Sequence, residues 1–341
     1  MTTQDRTLDR YQELMQINAA AHVLRSAKQT GVFDELRRGQ RTIDQLADSL
    51  KLQRDALSLL LDSLIAMNVI ERYGDDNAVS PVMRLLCEYD NDLGDSIWDR
   101  LNANVKNEPG AIVGDVQPYL DSIAATQWIH TPAAMQVAEI LDLIDPPAPI
   151  DDDATNEAKS EAKPEAARPL KILDLGCGSA VWSCAIAFGA SAARIVAVDN
   201  EEALAAAGRT AESINLGVRF LPVTGDAETA ELPSSEFDIV IIAQRLHSIS
   251  SASADRLLEQ AKSALVAGGR IVVIDLFRGP TKPRLSETIE ALRIHLETPS
   301  GRIKTIKESE AMLVRHGFTS PQFSFIAASR INLGLMVATK P

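Results

Sequence analysis

Two acids and two glycines, set close together at the ends of two apolar runs, define the chemistry this chain could do. Asp174 sits within the run Ile172, Leu173 and Leu175, and Gly176 and Gly178 follow at once. Asp199 closes a second apolar run (Ile195, Val196, Ala197, Val198), roughly 20 residues beyond the first glycine. Strand, glycine turn, helix, strand and acid, in that order, describe a nucleotide-binding βαβ unit. Glycines without a Cβ let the backbone approach a ligand, and an acid at the second strand's end can accept from both hydroxyls of a ribose. A dinucleotide is disfavoured: Val181 stands where its third glycine belongs, and Asp174 would repel a pyrophosphate. An acid at that station suits a ligand that carries an ammonium group.

The elements that must position these residues alternate between strand and helix. Helices are expected over 181–188, 201–214, 254–266, 285–296 and 307–316, and strands over 171–175, 194–199, 218–223 and 237–243. A further strand, 268–277, is entered through the Gly268-Gly269 turn, and 322–328 with 332–339 form an antiparallel closing pair. The fold class is therefore α/β: a doubly wound, Rossmann-like sheet whose ligands lie outside the strands' carboxyl ends. Ahead of it the chain reads as helical, over 17–28, 42–50 with Thr42 as N-cap, and 57–67, followed by strand, turn and strand over 68–81. That is a winged-helix pattern.

A chain of 341 residues suggests about two domains. The expected organisation is 1–100 as the winged-helix region, 101–145 as connecting helices, 146–169 as a flexible linker and 170–341 as the ligand-binding domain. The linker is rich in proline, alanine and charge and lacks aromatics, so it cannot bury enough apolar surface to offset its chain entropy. A net charge of −13 argues against a nucleic-acid footprint. The helix that would enter a DNA groove, 54–64, offers one arginine, two acids and a row of leucines, which suits a core or a subunit interface instead. Cys87, Cys177 and Cys184 show no metal-ligand spacing and read as reduced thiols. No membrane-spanning run and no signal peptide are evident, so a cytoplasmic location is expected.

Asp174-x-Gly-x-Gly-x-Ala180 followed by Val198-Asp199 resembles the cofactor motifs of the class I S-adenosylmethionine-dependent methyltransferases, with Ala180 in place of the usual third glycine. With Gly31-Val-Phe-Asp-Glu-Leu36, Arg245-Leu-His247, 268–275, Gly301-Arg-Ile-Lys-Thr305 and Gly317-Phe318, the whole chain is similar to the small-molecule O-methyltransferases. The resemblance implies an N-terminal winged-helix dimerisation domain, a homodimer, S-adenosyl-L-methionine as cofactor and a small apolar or aromatic acceptor.

It also implies roles for particular residues. Asp174, Gly176 and Gly178 would meet the methionine end of the cofactor, Asp199 the ribose, and Asp226 with Ala227 the adenine. His247 matches the family's catalytic histidine. A histidine with a pKa near 6.5 is largely neutral at pH 7 and can accept the acceptor's proton. Asp275 matches the first of the family's two flanking acids, but Ile303 stands where the second would be, and Ser248-Ile-Ser-Ser251 replaces the plant members' Asp-Trp-Ser-Asp. Trp128, His130, Met135, Leu292 and His295 fall in segments that form the acceptor pocket, although each also reads as core. Carbon or nitrogen methylation on the same scaffold, or cofactor binding without transfer, are the alternatives.

Overall fold

The computed structural model describes residues 3–84, 93, 95–107, 118–145, 169–280, 282–298 and 300–341. The expected linker, Cys87 and the side chain of Trp128 lie outside the described residues. The chain divides into two compact units, Met1–Ser96 and Ile97–Pro341.

In the first unit a long helix, Thr3–Gln29, precedes helices Val32–Arg38, Ile43–Leu50 and Arg54–Ala66. Thr42 caps the third of these as expected: its side chain accepts from the Gln45 amide while the Gln45 side chain accepts from the Thr42 amide. That reciprocal pair satisfies two donors which a helix start otherwise leaves open. Leu57, Leu61 and Leu64 recur at helical spacing and are buried against Leu46 and Ile70. Strands β1 (Arg41–Thr42), β2 (Ile70–Tyr73) and β3 (Asp76–Val79) form an antiparallel sheet in the order β1-β3-β2. The β2–β3 hairpin is the strand-turn-strand read from residues 68–81.

The second unit holds an eight-stranded sheet. Strands β4 (Lys171–Leu175), β5 (Arg194–Asp199), β6 (Phe220–Thr224), β7 (Phe237–Ala243) and β8 (Leu265–Arg278) are parallel. β9 (Lys304–Thr305) adds a short parallel pairing to β8, while β10 (Thr319–Phe325) and β11 (Leu333–Thr339) run antiparallel. The spatial order is β10-β11-β8-β7-β4-β5-β6. β4 is buried along its length from Ile172 to Leu175 because helices cover both faces of a doubly wound sheet, which is why it reads as an unbroken apolar run.

Several boundaries differ from the sequence reading: the first helix begins at Thr3 and not at 17, the helix expected over 254–266 is Ser251–Ala264, and β10 spans Thr319–Phe325 and not 322–328. Residues 217–219 form a 3-10 turn, so β6 starts at Phe220. β8 starts at Leu265 and carries Gly268 and Gly269 within it, where the pairing with β7 slips in register. The glycines mark an irregularity inside the strand, as they often do.

Chain order runs outward from β4 through β5 to β6, then returns to the other side of β4 with β7 and β8. The reversal falls between β4 and β7, and it opens a crevice at their carboxyl ends. Helix Pro118–Ile140 packs on helix Val181–Gly189, with the buried His130 ring 5.6 Å from that of Trp182. Burial lowers the His130 pKa to about 4, so it is a neutral core residue at physiological pH.

Leu173 is fully buried at the centre of the sheet. Leu173→Ala is expected to cost about 2–5 kcal/mol by leaving a cavity, read as a shift in the denaturant midpoint. A shift below about 1 kcal/mol would contradict this packing.

Candidate active site

The turn after β4 is built by backbone conformations that its glycines allow. Gly176 (φ 71°) and Gly178 (φ 55°) are left-handed, and the Gly178 amide donates to Asp199 Oδ2 at 2.9 Å. Asp199 Oδ1 accepts from the Asn200 amide at 2.8 Å. Both oxygens are thus oriented by the backbone and keep further lone pairs for a ligand. The Gly176 amide donates to the Val198 carbonyl at 2.9 Å, tying the two strand ends together. Ala180, at the usual third glycine, is also left-handed (φ 54°). What that position constrains is therefore backbone conformation and not only size; a Cβ there costs roughly 1–2 kcal/mol.

Asp174 is 1% exposed, deep beneath this turn. Its Oδ2 accepts from Ser183 Oγ at 2.5 Å, but Oδ1 is buried with no partner. A buried carboxylate oxygen without a donor is costly. Burial pushes this carboxyl up to about 7; the Ser183 hydrogen bond opposes the rise and the charge of Asp199 adds to it. The same burial, with Asp174 nearby, raises the Cys177 thiol strongly and the Cys184 thiol to about 12. Both cysteines are free, buried and protonated at neutral pH, so neither is a poised nucleophile.

Across the crevice, His247 follows β7. Its Nδ1 is hydrogen-bonded to Asp275 Oδ1, and its amide donates to Asp275 Oδ2 at 3.1 Å. The Leu276 amide donates to Asp275 Oδ1 at 2.7 Å, which fixes the carboxylate. A carboxylate facing Nδ1 selects the tautomer with its proton there and leaves the Nε2 lone pair to accept. Lys304 Nζ donates to the Leu246 carbonyl at 2.6 Å, and burial lowers its pKa while Asp275 pulls the other way. Gly301 lies against the same turn; a Cβ there would fall 2.7 Å from the His247 carbonyl oxygen. Leu246, His247, Asp275, Phe277, Lys304 and Ser309 line one small pocket. Ile303 is half-buried and packs into the core, so among the described residues Asp275 alone holds the imidazole.

The other expected residues are placed less tellingly. Asp226 is exposed just beyond β6, its Oδ1 accepting from the Glu228 amide at 2.7 Å, and Ala227 is buried behind it. Gly225, joining β6 to Asp226, donates its amide to the Asp199 carbonyl at 3.0 Å, so these acids occupy adjacent strand ends. Met135 is half-buried against the core, Leu292 is half-buried on helix Leu285–Glu297, and His295 is exposed on that helix. The sequence reading passed over Ser183, Lys304 and Arg245 as functional residues. Ser183 lies one turn into the helix that faces Asp174, a spacing that could have flagged it. Lys304 and Arg245 stood inside quoted motifs without a role.

The buried, unpartnered Asp174 Oδ1 is a position that an ammonium donor would satisfy. A Cβ built on Gly178 would meet nothing within 4 Å, so the turn is open on the crevice side. Both features fit the amino-acid end of S-adenosylmethionine. In the folded chain, Asp174 stays protonated where the unfolded chain has already ionised. It therefore stabilises the fold fully below the ordinary carboxylate range, and that contribution is lost as pH rises towards about 7. Asp174→Asn is expected to remove this loss, on the order of 1–4 kcal/mol between about pH 5 and pH 8. Superimposable stability profiles for the two proteins by chemical denaturation would refute the assignment.

Residues 172–269 match the family model described as a methyltransferase domain. The phenazine-1-carboxylate N-methyltransferase of Pseudomonas aeruginosa is 29% identical over 151 residues, 44% of this chain and 44% of that protein. The chain spans less than half the length of the curated relatives it matches. An O-methyltransferase family protein from Burkholderia thailandensis superposes with a TM-score of 0.71 at 17% identity, over 100% of this chain and 98% of that one. Human N-acetylserotonin methyltransferase, solved with S-adenosylmethionine, gives 0.66 at 19% identity, over 100% and 98%. Residues 172–269 thus match a methyltransferase domain, and the chain has the fold of the Burkholderia O-methyltransferase family protein and of the human N-acetylserotonin methyltransferase.

Proposed function

We propose that this protein transfers a methyl group from S-adenosylmethionine to a hydroxyl of a small apolar or aromatic metabolite, with His247 as general base. The observation that carries the reading is the His247–Asp275 pair at the carboxyl ends of β7 and β8, one strand from the glycine turn after β4. Asp174, Gly176 and Gly178 would hold the methionine end of the cofactor, Asp199 its ribose, and Asp226 with Ala227 its adenine. When bound there, the cofactor supplies an electrophilic methyl on a sulfonium. His247 Nε2 accepts the proton of the acceptor hydroxyl as the oxygen attacks. Asp275 holds the ring through Nδ1 and stabilises the imidazolium that results.

On this reading Trp128, Met135, Leu292 and His295 line the acceptor pocket, and residues 101–145 supply one of its walls. The first unit, with its β2–β3 hairpin, serves as a winged-helix dimerisation region. Leu8, Tyr11 and Met15 recur at helical spacing on Thr3–Gln29 and are 61%, 61% and 49% exposed, an apolar stripe suited to a second copy. Two free buried thiols accord with a cytoplasmic setting. The Pseudomonas relative's nitrogen chemistry supports a second reading, because a nitrogen acceptor with its own lone pair needs no base.

His247→Ala is expected to lower methyl transfer from labelled S-adenosylmethionine into small metabolites by about 10²–10⁴-fold, with S-adenosylhomocysteine binding retained. Equal labelling by the two proteins would remove the base and favour the nitrogen or carbon reading. The double substitution Leu8→Glu and Tyr11→Glu should convert a dimer to a monomer in sedimentation; a wild type that is monomeric at micromolar concentration sinks the dimer.

A further inference from the structure

We propose that Arg245 is the receptor for the carboxylate of the cofactor's methionine end, forming with Asp174 a clamp of opposite charges on that zwitterion. The inference rests on the S-adenosylmethionine reading and adds a residue to it. Arg245 leaves the carboxyl end of β7 two residues after Ala243, and its side chain crosses the crevice to lie along the turn after β4. A Cβ built on Gly176 would fall 3.4 Å from Arg245 Cδ and 3.5 Å from Nε. At those distances a Cβ would only make ordinary van der Waals contact, so it is the positive φ that suits position 176 to glycine, while the guanidinium stem lies directly along the turn.

Arg245 Nε is buried and has no hydrogen-bond partner, and among the described residues no carboxylate pairs with the guanidinium. Arginine is always charged and presents its donors as a rigid fork that matches a carboxylate. Around Gly176 the structure therefore leaves two buried polar atoms unsatisfied, an acceptor on Asp174 and a donor on Arg245. Neither serves as the other's partner. An amino-acid zwitterion offers an ammonium for the first and a carboxylate for the second, whereas a simple cation or a simple anion would satisfy only one of them. Arg245 is also two residues from His247, so the same turn would bind the cofactor's end and present the base.

The experiment is calorimetric titration of the full chain with three probes. S-adenosylhomocysteine carries both charges, its decarboxylated analogue carries the ammonium alone, and 5′-methylthioadenosine carries neither. Arg245→Met is expected to weaken S-adenosylhomocysteine by about ten- to a hundredfold and to leave the other two unchanged. Arg245→Lys, which keeps the charge and loses the fork, should recover part of the loss. Asp174→Asn should weaken both ammonium-bearing probes and spare methylthioadenosine, which also shows that the variants fold. Unchanged S-adenosylhomocysteine binding in Arg245→Met overturns the proposal. So does equal weakening of all three probes, which would make Arg245 a packing residue for the Gly176 turn. A wild type that binds none of them overturns the S-adenosylmethionine reading as well.

Discussion

Asp174 must keep a carboxyl group inside the sheet, 1% exposed, with a single hydrogen bond from Ser183 to one oxygen and nothing for the other. Such burial disfavours the charged form and pushes the group up to about 7, so an acid that would be fully ionised in water is poised between its two states. The surroundings are arranged around that tension. Helix Val181–Gly189 supplies the one hydroxyl donor, the Gly176–Gly178 turn folds over the carboxylate in left-handed conformations, and Asp199 adds a second negative group alongside. The fold thus carries an electrostatic cost that a cation at this position would relieve, which would link its binding to protonation.

The same crevice joins two chemical tasks through backbone contacts. On the β4 side, the Val198 carbonyl and Asp199 carboxylate hold the glycine turn by its amides. On the β7 side, Asp275 takes both the amide and the ring of His247, while Lys304 grips the Leu246 carbonyl and Gly301 lies on that of His247. The imidazole is thus oriented by contacts that do not depend on a second acid, and Ile303 is free to serve the core. Arg245 spans the two sides by lying along the Gly176 turn.

Most of the fold was legible in the sequence because buried parallel strands are apolar along their length and helices repeat every three to four residues. β4, β5 and β7 follow directly from their apolar runs, and the Thr42 cap from its spacing to Gln45. Two of the boundaries that shifted have local causes: a 3-10 turn before β6, and a bulged strand through Gly268 that local pattern cannot distinguish from a turn.

The sequence by itself determined which residue types stand at the strand ends: the acid near the end of β4, the two glycines after it, the acid at the end of β5, and a histidine after β7. Those stations are local, since each is set by a strand and the turn that leaves it. Tertiary structure decided which of them meet. Asp275 reaches His247 because β8 runs beside β7, Ser183 reaches Asp174 because its helix crosses over β4, and Arg245 reaches Gly176 because the chain order reverses between β4 and β7. Tertiary structure also left a donor and an acceptor buried without partners. Satisfaction of a polar group depends on everything packed around it, and no pattern along the chain records that.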